Sequence, residues 1–211
     1  MRYERKYRAE GYTLAEIEHL VRMHRASFRK AFPDHCINSL YLDTTELDFM
    51  HDNIMGLSGR TKQRIRWYGH ELKHITKPVL EIKIKNNELG KKQYVNLPDF
   101  KIDQSFNYEK YMQNHLWLAS NNVVPTVMVQ YVRSYYESFD KQVRLTVDRE
   151  QKYFPVDKRL NFHVDPFHDE AIIIEVKYPK FDTRNIDYIT QDFPFRLTRN
   201  SKYVQAMIAC Y

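Results

Sequence analysis

In "TKQRIRWYG", residues 61–69, Lys62, Arg64 and Arg66 occupy strictly alternate positions. Alternate residues of a β-strand point to one face, so three cations project together there. Other stretches repeat the pattern at period two. "YERKY" offers Glu4 and Lys6, "LEIKIK" offers Glu81, Lys83 and Lys85, and "VQYVRSY" offers Tyr131 and Arg133. "VRLTVDRE" adds Arg144, Thr146 and Asp148, and "IIIEVKYP" adds Glu175 and Lys177. A Glu stands two residues before a Lys in Glu4/Lys6, Glu81/Lys83 and Glu175/Lys177. Gathered cations repel one another unless an anion sits among them. Arg suits phosphate by bidentate contact and Lys by point charge. Carboxylates fit beside phosphate when Mg²⁺ or Mn²⁺ bridges the two. The residue types therefore point to a metal-dependent site for a polyanionic phosphate chain. For any one strand the alternative is a polar face turned to water.

Strands and helices must position these residues. "MRYERKYRAE" reads as a strand, with Tyr3, Arg5 and Tyr7 opposite Glu4, Lys6 and Arg8. "TLAEIEHLVRMHRAS" has helical spacing behind a Thr13–Glu16 capping box. "INSLYLDT" is a strand, and "TELDFMHDNI" a short helix behind Thr45. Residues 61–69, 79–85 and 92–97 form a dense β region, with "NNELG" as a hairpin signal between the last two. "NYEKYMQNHLWLAS" reads as a helix, and "TVMVQYVRSYYES" and "KQVRLTVDRE" as strands joined around Phe139 and Asp140. "AIIIEVKYP" is a further strand, and "TRNSKYVQAMIACY" a loop entering a helix near Asn200 or Ser201. About eight mostly antiparallel strands with helices between them give an α+β class. If the sheet closes, the charged face lines its lumen.

With 211 residues, 43% apolar and 14% aromatic, the chain can bury a core and favours strands. The net charge of +6 is moderate, so clustering matters more than the excess. Cys36 and Cys210 are two cysteines far apart in sequence and in no metal-like spacing, which argues against a disulfide framework or structural zinc site and agrees with a reducing compartment. The N-terminus has no apolar core of a signal peptide, and no stretch suits a membrane span. A cytoplasmic chain with no membrane segment is expected. No linker or repeat divides it, so a single domain over residues 1–211 is expected. His51, His70 and His74 show no ligand spacing, and the nine His are read as incidental.

"RYERKY", "LYLDT", "RTKQRIRWYG", "LEIKIK", "YVRSYY", "VRLTVDRE", "IIEVKYP" and "RNSKYVQAM" occur in that order. The ordered set resembles the VTC domain, the polyphosphate polymerase branch of the CYTH-like triphosphate tunnel metalloenzymes. The resemblance spans roughly Arg2 to Met207. It implies an antiparallel β-barrel forming a closed tunnel with peripheral helices, lined by Arg, Lys and Glu and requiring Mn²⁺ or Mg²⁺. Carried over residue by residue, Lys6, Arg64, Arg66, Lys83, Tyr131 and Arg133 match the phosphate-binding positions, and Arg144 lies in a matching strand. Lys62 joins them from the same face, Lys177 follows the metal-binding Glu175, and Ser201 with Lys202 matches the Ser-Lys pair before the terminal helix. The implied catalytic set is Arg64, Arg66, Lys83, Glu175 and Lys202, and the candidate metal carboxylates are Glu175, Glu81 and Glu4. A further lysine beyond the hairpin is Lys91 or Lys92; the substrate set takes Lys92. Eukaryotic polymerase subunits carry an inositol-phosphate-sensing domain and membrane helices. Neither is legible here, so a stand-alone, bacterial-type member is expected.

The implied activity is a transferase reaction: polyphosphate synthesis from ATP, with ATP and polyphosphate or tripolyphosphate as partners. A membrane protein that exports or stores the product is a conceivable further partner. In phosphoryl transfer, positioning and charge stabilisation do most of the work. Attack by water, activated by Glu4 or Glu81, would make a triphosphatase instead. Glu81 can equally be a salt-bridge partner of a neighbouring cation. A module that binds polyphosphate or inositol phosphate without turnover is a third reading. Nucleic-acid binding is disfavoured, because glutamates interleave with the cations and no RNP, KH or OB signature occurs. Trp67 and Tyr68 read as core or rim aromatics, and Tyr135 and Tyr136 as core.

Overall fold

The structure is a computed structural model describing residues 2–86, 89–103, 106–108, 110–111, 123–156, 165–179 and 189–211. In chain order it contains β1 (Arg2–Ala9), α1 (Leu14–Met23), β2 (Arg29–Asp43), α2 (Asp48–Met55) and β3 (Arg60–Tyr68). Then follow β4 (His74–Ile75), β5 (Val79–Asn86), β6 (Leu89–Asn96), β7 (Phe100–Lys101) and β8 (Val124–Glu137). β9 (Arg144–Pro155), β10 (Phe167–Asp169), β11 (Ile172–Pro179) and α3 (Lys202–Cys210) complete the described elements. Hydrogen-bonded neighbours in the main sheet run β1-β11-β9-β8-β2-β3-β5-β6, with β10 beside β9, and β4 pairs β7 separately. The pairs β1–β11, β11–β9, β2–β3, β3–β5, β5–β6 and β4–β7 are all antiparallel. The eight strands on this path are the eight that the sequence suggests; β4, β7 and β10 are two- or three-residue additions. The turn in "NNELG" and most of the helix expected in "NYEKYMQNHLWLAS" lie outside the described residues.

The chain clusters into two compact units. The first comprises Met1–Cys36, Tyr131–Gln151 and His168–Asn200. Its core packs Ile17 and Val21 of α1 against Tyr7, Leu145, Val147, Ile174 and Val176. These strand residues alternate with the charged ones, so the same periodicity that turns Lys6 and Glu175 to one face packs Ile174 on the other. α1 starts where expected: the Glu16 N–H donates to Thr13 Oγ1, and the Glu16 carboxylate accepts from the Thr13 N–H. His24, at its end, is buried and stacked on Phe193. Its Nδ1 accepts from the Ala26 N–H and its Nε2–H donates to the Ile189 carbonyl, which fixes one neutral tautomer.

The second unit comprises Ile37–Gln130, Lys152–Phe167 and Ser201–Tyr211. Its core joins Leu40, Leu42, Ile65, Trp67, Leu80 and Ile82 with Met128 and Phe154. Trp67 is buried, with its indole N–H donating to the Glu71 carbonyl, whereas Tyr68 is exposed. Helix α2 departs from expectation. Leu47, in the left-handed region at φ 59°, is its N-cap instead of Thr45, and makes no side-chain cap bond. Buried Asp43 does the capping, accepting from the Phe49 and Met50 N–H groups, and Thr44 Oγ1 accepts from the Asp48 N–H. Two residues upstream of the expected cap thus satisfy the orphan donors of the first turn. At α3, Ser201 is the N-cap by position but forms no cap hydrogen bond.

Strand β2 begins eight residues before the expected one. "RKAFPDHC" lacks apolar alternation and contains Pro33, which argues against a strand from local sequence. Contacts outside the segment hold it instead: Asp34 Oδ2 accepts from Arg149 Nη2 at 2.9 Å, and Phe32 meets Tyr135 edge-on.

Candidate functional site

In the second unit, register places the charged residues in rows. Lys62 on β3 opposes Lys83 on β5, which opposes Lys92 on β6. Directly opposed residues of an antiparallel pair share a face, so three ammonium-bearing side chains lie side by side. Lys91 opposes Ile84 and thus shares the apolar face; Lys92 is the lysine beside Lys83. One row along, Arg64 lies between Tyr41 and Glu81; the next holds Arg66 between Ser39 and Val79.

Glu81 organises this face. Its Oε2 accepts from Arg64 Nε at 2.8 Å and Nη2 at 2.5 Å, while Oε1 lies 3.1 Å from Arg66 Nη1. Burial raises its carboxyl pKa, but Arg64, Arg66 and Lys92 outweigh that and hold it below the ordinary glutamate range. Arg64 Nη1 also reaches the Tyr41 hydroxyl at 3.4 Å. Arg66 Nε and Ser39 Oγ, on opposed residues, are both buried and have no hydrogen-bond partner among the described residues. Lys62 Nζ donates to Ser201 Oγ at 3.1 Å, so the Ser201 side chain serves the cationic face and not the helix end. Lys202 is the first residue of α3.

In the first unit the charges form a checkerboard. Glu4 opposes Lys177, which opposes Arg144; Lys6 opposes Glu175, which opposes Thr146. Lys6 Nζ lies 3.1 Å from Glu4 Oε1 and 3.6 Å from Glu175 Oε2, and donates to the Asn200 carbonyl at 3.3 Å. Lys177 Nζ contacts Glu175 Oε1 and lies 3.9 Å from Glu4 Oε2. The Glu175 side chain is 9% exposed. Burial alone would raise its pKa; Lys6, Lys177 and Arg133 instead hold it well below the glutamate range. Arg144 is exposed.

Arg133 forms a two-pronged pair with Asp148, Nε to Oδ1 at 2.5 Å and Nη2 to Oδ2 at 2.7 Å. Its guanidinium carbon sits 5.3 Å from the centre of the Tyr131 ring, and Tyr131 is itself buried. Burial opposes the charge on Arg133, but Asp148, Tyr131 and Glu175 keep its pKa well above the usual arginine value. Asp148 is 1% exposed. Its place on the charged face is legible from parity; its partner is not, because the contact lies across β8 and β9. Tyr41 is likewise unforeseen as a neighbour of Arg64.

Among the described residues, no three His, Cys, Asp or Glu side chains come together as a metal-holding group. Glu4 and Glu175 nevertheless fit a divalent ion. Both offer hard oxygen donors, and both already reach the same cation, the Lys6 ammonium. Mg²⁺-type sites commonly use one or two carboxylates and take further ligands from substrate phosphates. Both oxygens of Glu81 are engaged with Arg64 and Arg66. No helix among the described residues is long and apolar enough to cross a membrane.

Two solved structures share the fold. One, a provisionally assigned adenylate cyclase from Vibrio parahaemolyticus, aligns at TM-score 0.54 with 12% identity, covering 99% of this chain and 98% of its own. Another so described, from Bacillus halodurans, aligns at TM-score 0.56 with 11% identity over 97% and 96%. A Hippeastrum protein described as having a dominant triphosphatase activity aligns at TM-score 0.48 with 14% identity over 96% and 93%. No curated protein matches the sequence at a significant level. The VTC domain family profile matches residues 1–211, and the chain belongs to the VTC domain family.

Proposed function

We propose that this protein is a metal-dependent phosphoryl-transfer enzyme that acts on linear phosphate chains, with polyphosphate synthesis from ATP as its reaction. The observation that carries the reading is the row Lys62–Lys83–Lys92 beside Arg64 and Arg66. Like charges on directly opposed positions destabilise a sheet, and a ligand with closely spaced negative charge removes that cost. Family membership supports the same substrate class. The closed tunnel implied by the resemblance, and the action of residues 1–211 as one domain, are parts of this proposal.

In this reading Lys62, Arg64, Arg66, Lys83 and Lys92 bind phosphoryl oxygens in one unit; Ser201 and Lys202 join them. Lys6, Tyr131, Arg133, Arg144 and Lys177 do so in the other. A terminal phosphate oxygen of the growing chain attacks the γ-phosphorus, and the bond to the β–γ bridging oxygen breaks, releasing ADP with the electron pair. The cations neutralise charge gathering on the equatorial oxygens. Glu175 and Glu4 would hold Mn²⁺ or Mg²⁺, which supplies Lewis-acid polarisation of phosphoryl oxygens. Glu81 sets Arg64 and Arg66 and is a weak base while both hold it ionised, which favours transfer to phosphate over transfer to water.

The test incubates purified protein with ATP and Mn²⁺, then stains a gel for polyphosphate and assays free phosphate. A polyphosphate ladder abolished by Arg66→Ala supports the proposal. Free phosphate without a ladder, greatest with tripolyphosphate, assigns a hydrolase. Neither product from protein that binds polyphosphate assigns a binding module.

A further inference from the structure

Arg133 uses two of its three guanidinium nitrogens on Asp148. Nη1 has no hydrogen-bond partner among the described residues, and the side chain is 14% exposed. Among the described residues, the Asp148 carboxylate along one edge and the Tyr131 ring at 5.3 Å hold the guanidinium. A fork pinned along the Nε–Nη2 edge presents Nη1 in one direction only. Thr146, two residues before Asp148 on the same face of β9, opposes Glu175. Its hydroxyl is buried and also has no partner among the described residues. A buried hydroxyl of this kind is satisfied by an ordered water or by a polar ligand, and this one is available as a donor beside Glu175. A buried ion pair is a poor stability device, since apolar replacements often serve as well.

We propose that Asp148 is a positioning residue: it aims Arg133 so that Nη1 meets a phosphoryl oxygen of the bound chain beside Glu175, with the Thr146 hydroxyl as a second donor on that face. The assignment rests on the phosphate-chain reading of the site. It makes Asp148 part of substrate binding although it is an anion and touches no substrate. Losing Asp148 leaves the charge of Arg133 in place and removes its direction.

The experiment measures tripolyphosphate binding to the whole protein by calorimetry in metal-free buffer, beside thermal unfolding, for wild type, Asp148→Asn, Arg133→Gln and the double variant. The expected result is a loss of about tenfold or more in affinity for each single variant. The double variant is no weaker than Arg133→Gln, because the two act through one contact. Asp148→Glu restores part of the loss. A structural role alone lowers the unfolding temperature of Asp148→Asn and leaves the affinity of the folded protein unchanged; that result overturns the assignment. If Asp148→Asn does not fold, Arg133→Lys decides. It keeps the charge but lacks the fork, so wild-type affinity in that variant also overturns the assignment. Wild-type protein that fails to bind tripolyphosphate overturns the phosphate-chain reading and this inference together; wild-type binding with no change in the variants overturns this inference and removes Arg133 from the phosphate-binding set, while the reading itself stands.

Discussion

Replacing Glu175 by Gln is expected to move binding and turnover in opposite directions. Glu175 Oε2 lies 3.6 Å from Lys6 Nζ, and Oε1 contacts Lys177 Nζ. A phosphoryl oxygen hydrogen-bonded to Lys6 would therefore stand roughly 6 Å from the carboxylate, given about 2.8 Å for a charge-assisted bond. At that distance two unit charges repel by about 0.7 kcal/mol in water and about 2.8 kcal/mol at an effective dielectric of about 20. Without metal, then, Glu175→Gln should bind tripolyphosphate about 3- to 100-fold more tightly than wild type. With Mn²⁺ present the sign reverses for chemistry. On the proposed reading the variant lacks a carboxylate that would hold the ion, and turnover is expected to fall on the order of 100-fold or more. Calorimetry of tripolyphosphate in EDTA reads the first effect, and product formation with Mn²⁺ reads the second. Weaker metal-free binding in the variant would refute the reasoning, because it would mean that the carboxylate does not share the anion's surroundings.

Lys83→Met removes the middle cation of the Lys62–Lys83–Lys92 row; tripolyphosphate affinity should drop about tenfold and depend less on salt in titrations at two ionic strengths. Ser201→Ala should leave the unfolding temperature within about 1 °C, since Ser201 forms no cap bond, yet weaken anion binding through Lys62. Thr13→Ala, which breaks a true capping box, should cost about 1 kcal/mol. Burial lowers the His24 pKa below 6.5, more than the Ile189 carbonyl and Asp192 raise it. The unfolded chain then takes up a proton first as pH falls, so this contribution to stability is complete above pH 6.5 and is lost below it. Urea unfolding at pH 7.5 and pH 5 should show the loss, and His24→Gln should flatten it; an equal pH slope in that variant would exclude His24 as the cause.

Most of the main strands were legible because a strand with one charged and one apolar face alternates at period two. That pattern survives in "TKQRIRWYG", "LEIKIK" and "IIIEVKYP" without tertiary context. The same rule assigned Lys62, Arg64, Arg66, Lys83 and Glu175 to charged faces. It failed at "RKAFPDHC", which is a strand by virtue of contacts to residues about a hundred positions away, such as Arg149. It also missed the cap of α2, which buried Asp43 supplies through two backbone N–H groups.

Side-chain parity within a strand is a local property, so sequence alone determined which residues share each face. Partnership between strands is not local. It depends on register, and a shift of one residue would turn an entire strand over. Only the tertiary structure could set Lys92 and not Lys91 beside Lys83, place Glu81 between Arg64 and Arg66, and join Arg133 to Asp148. Lys6 and Lys177 meet both Glu4 and Glu175 for the same reason: β1 and β11 stand at opposite ends of the chain, and their pairing offsets put each lysine against a carboxylate. The inventory of charges is written in the sequence, but their neutralisation is a matter of a few ångströms that the pairing of strands decides.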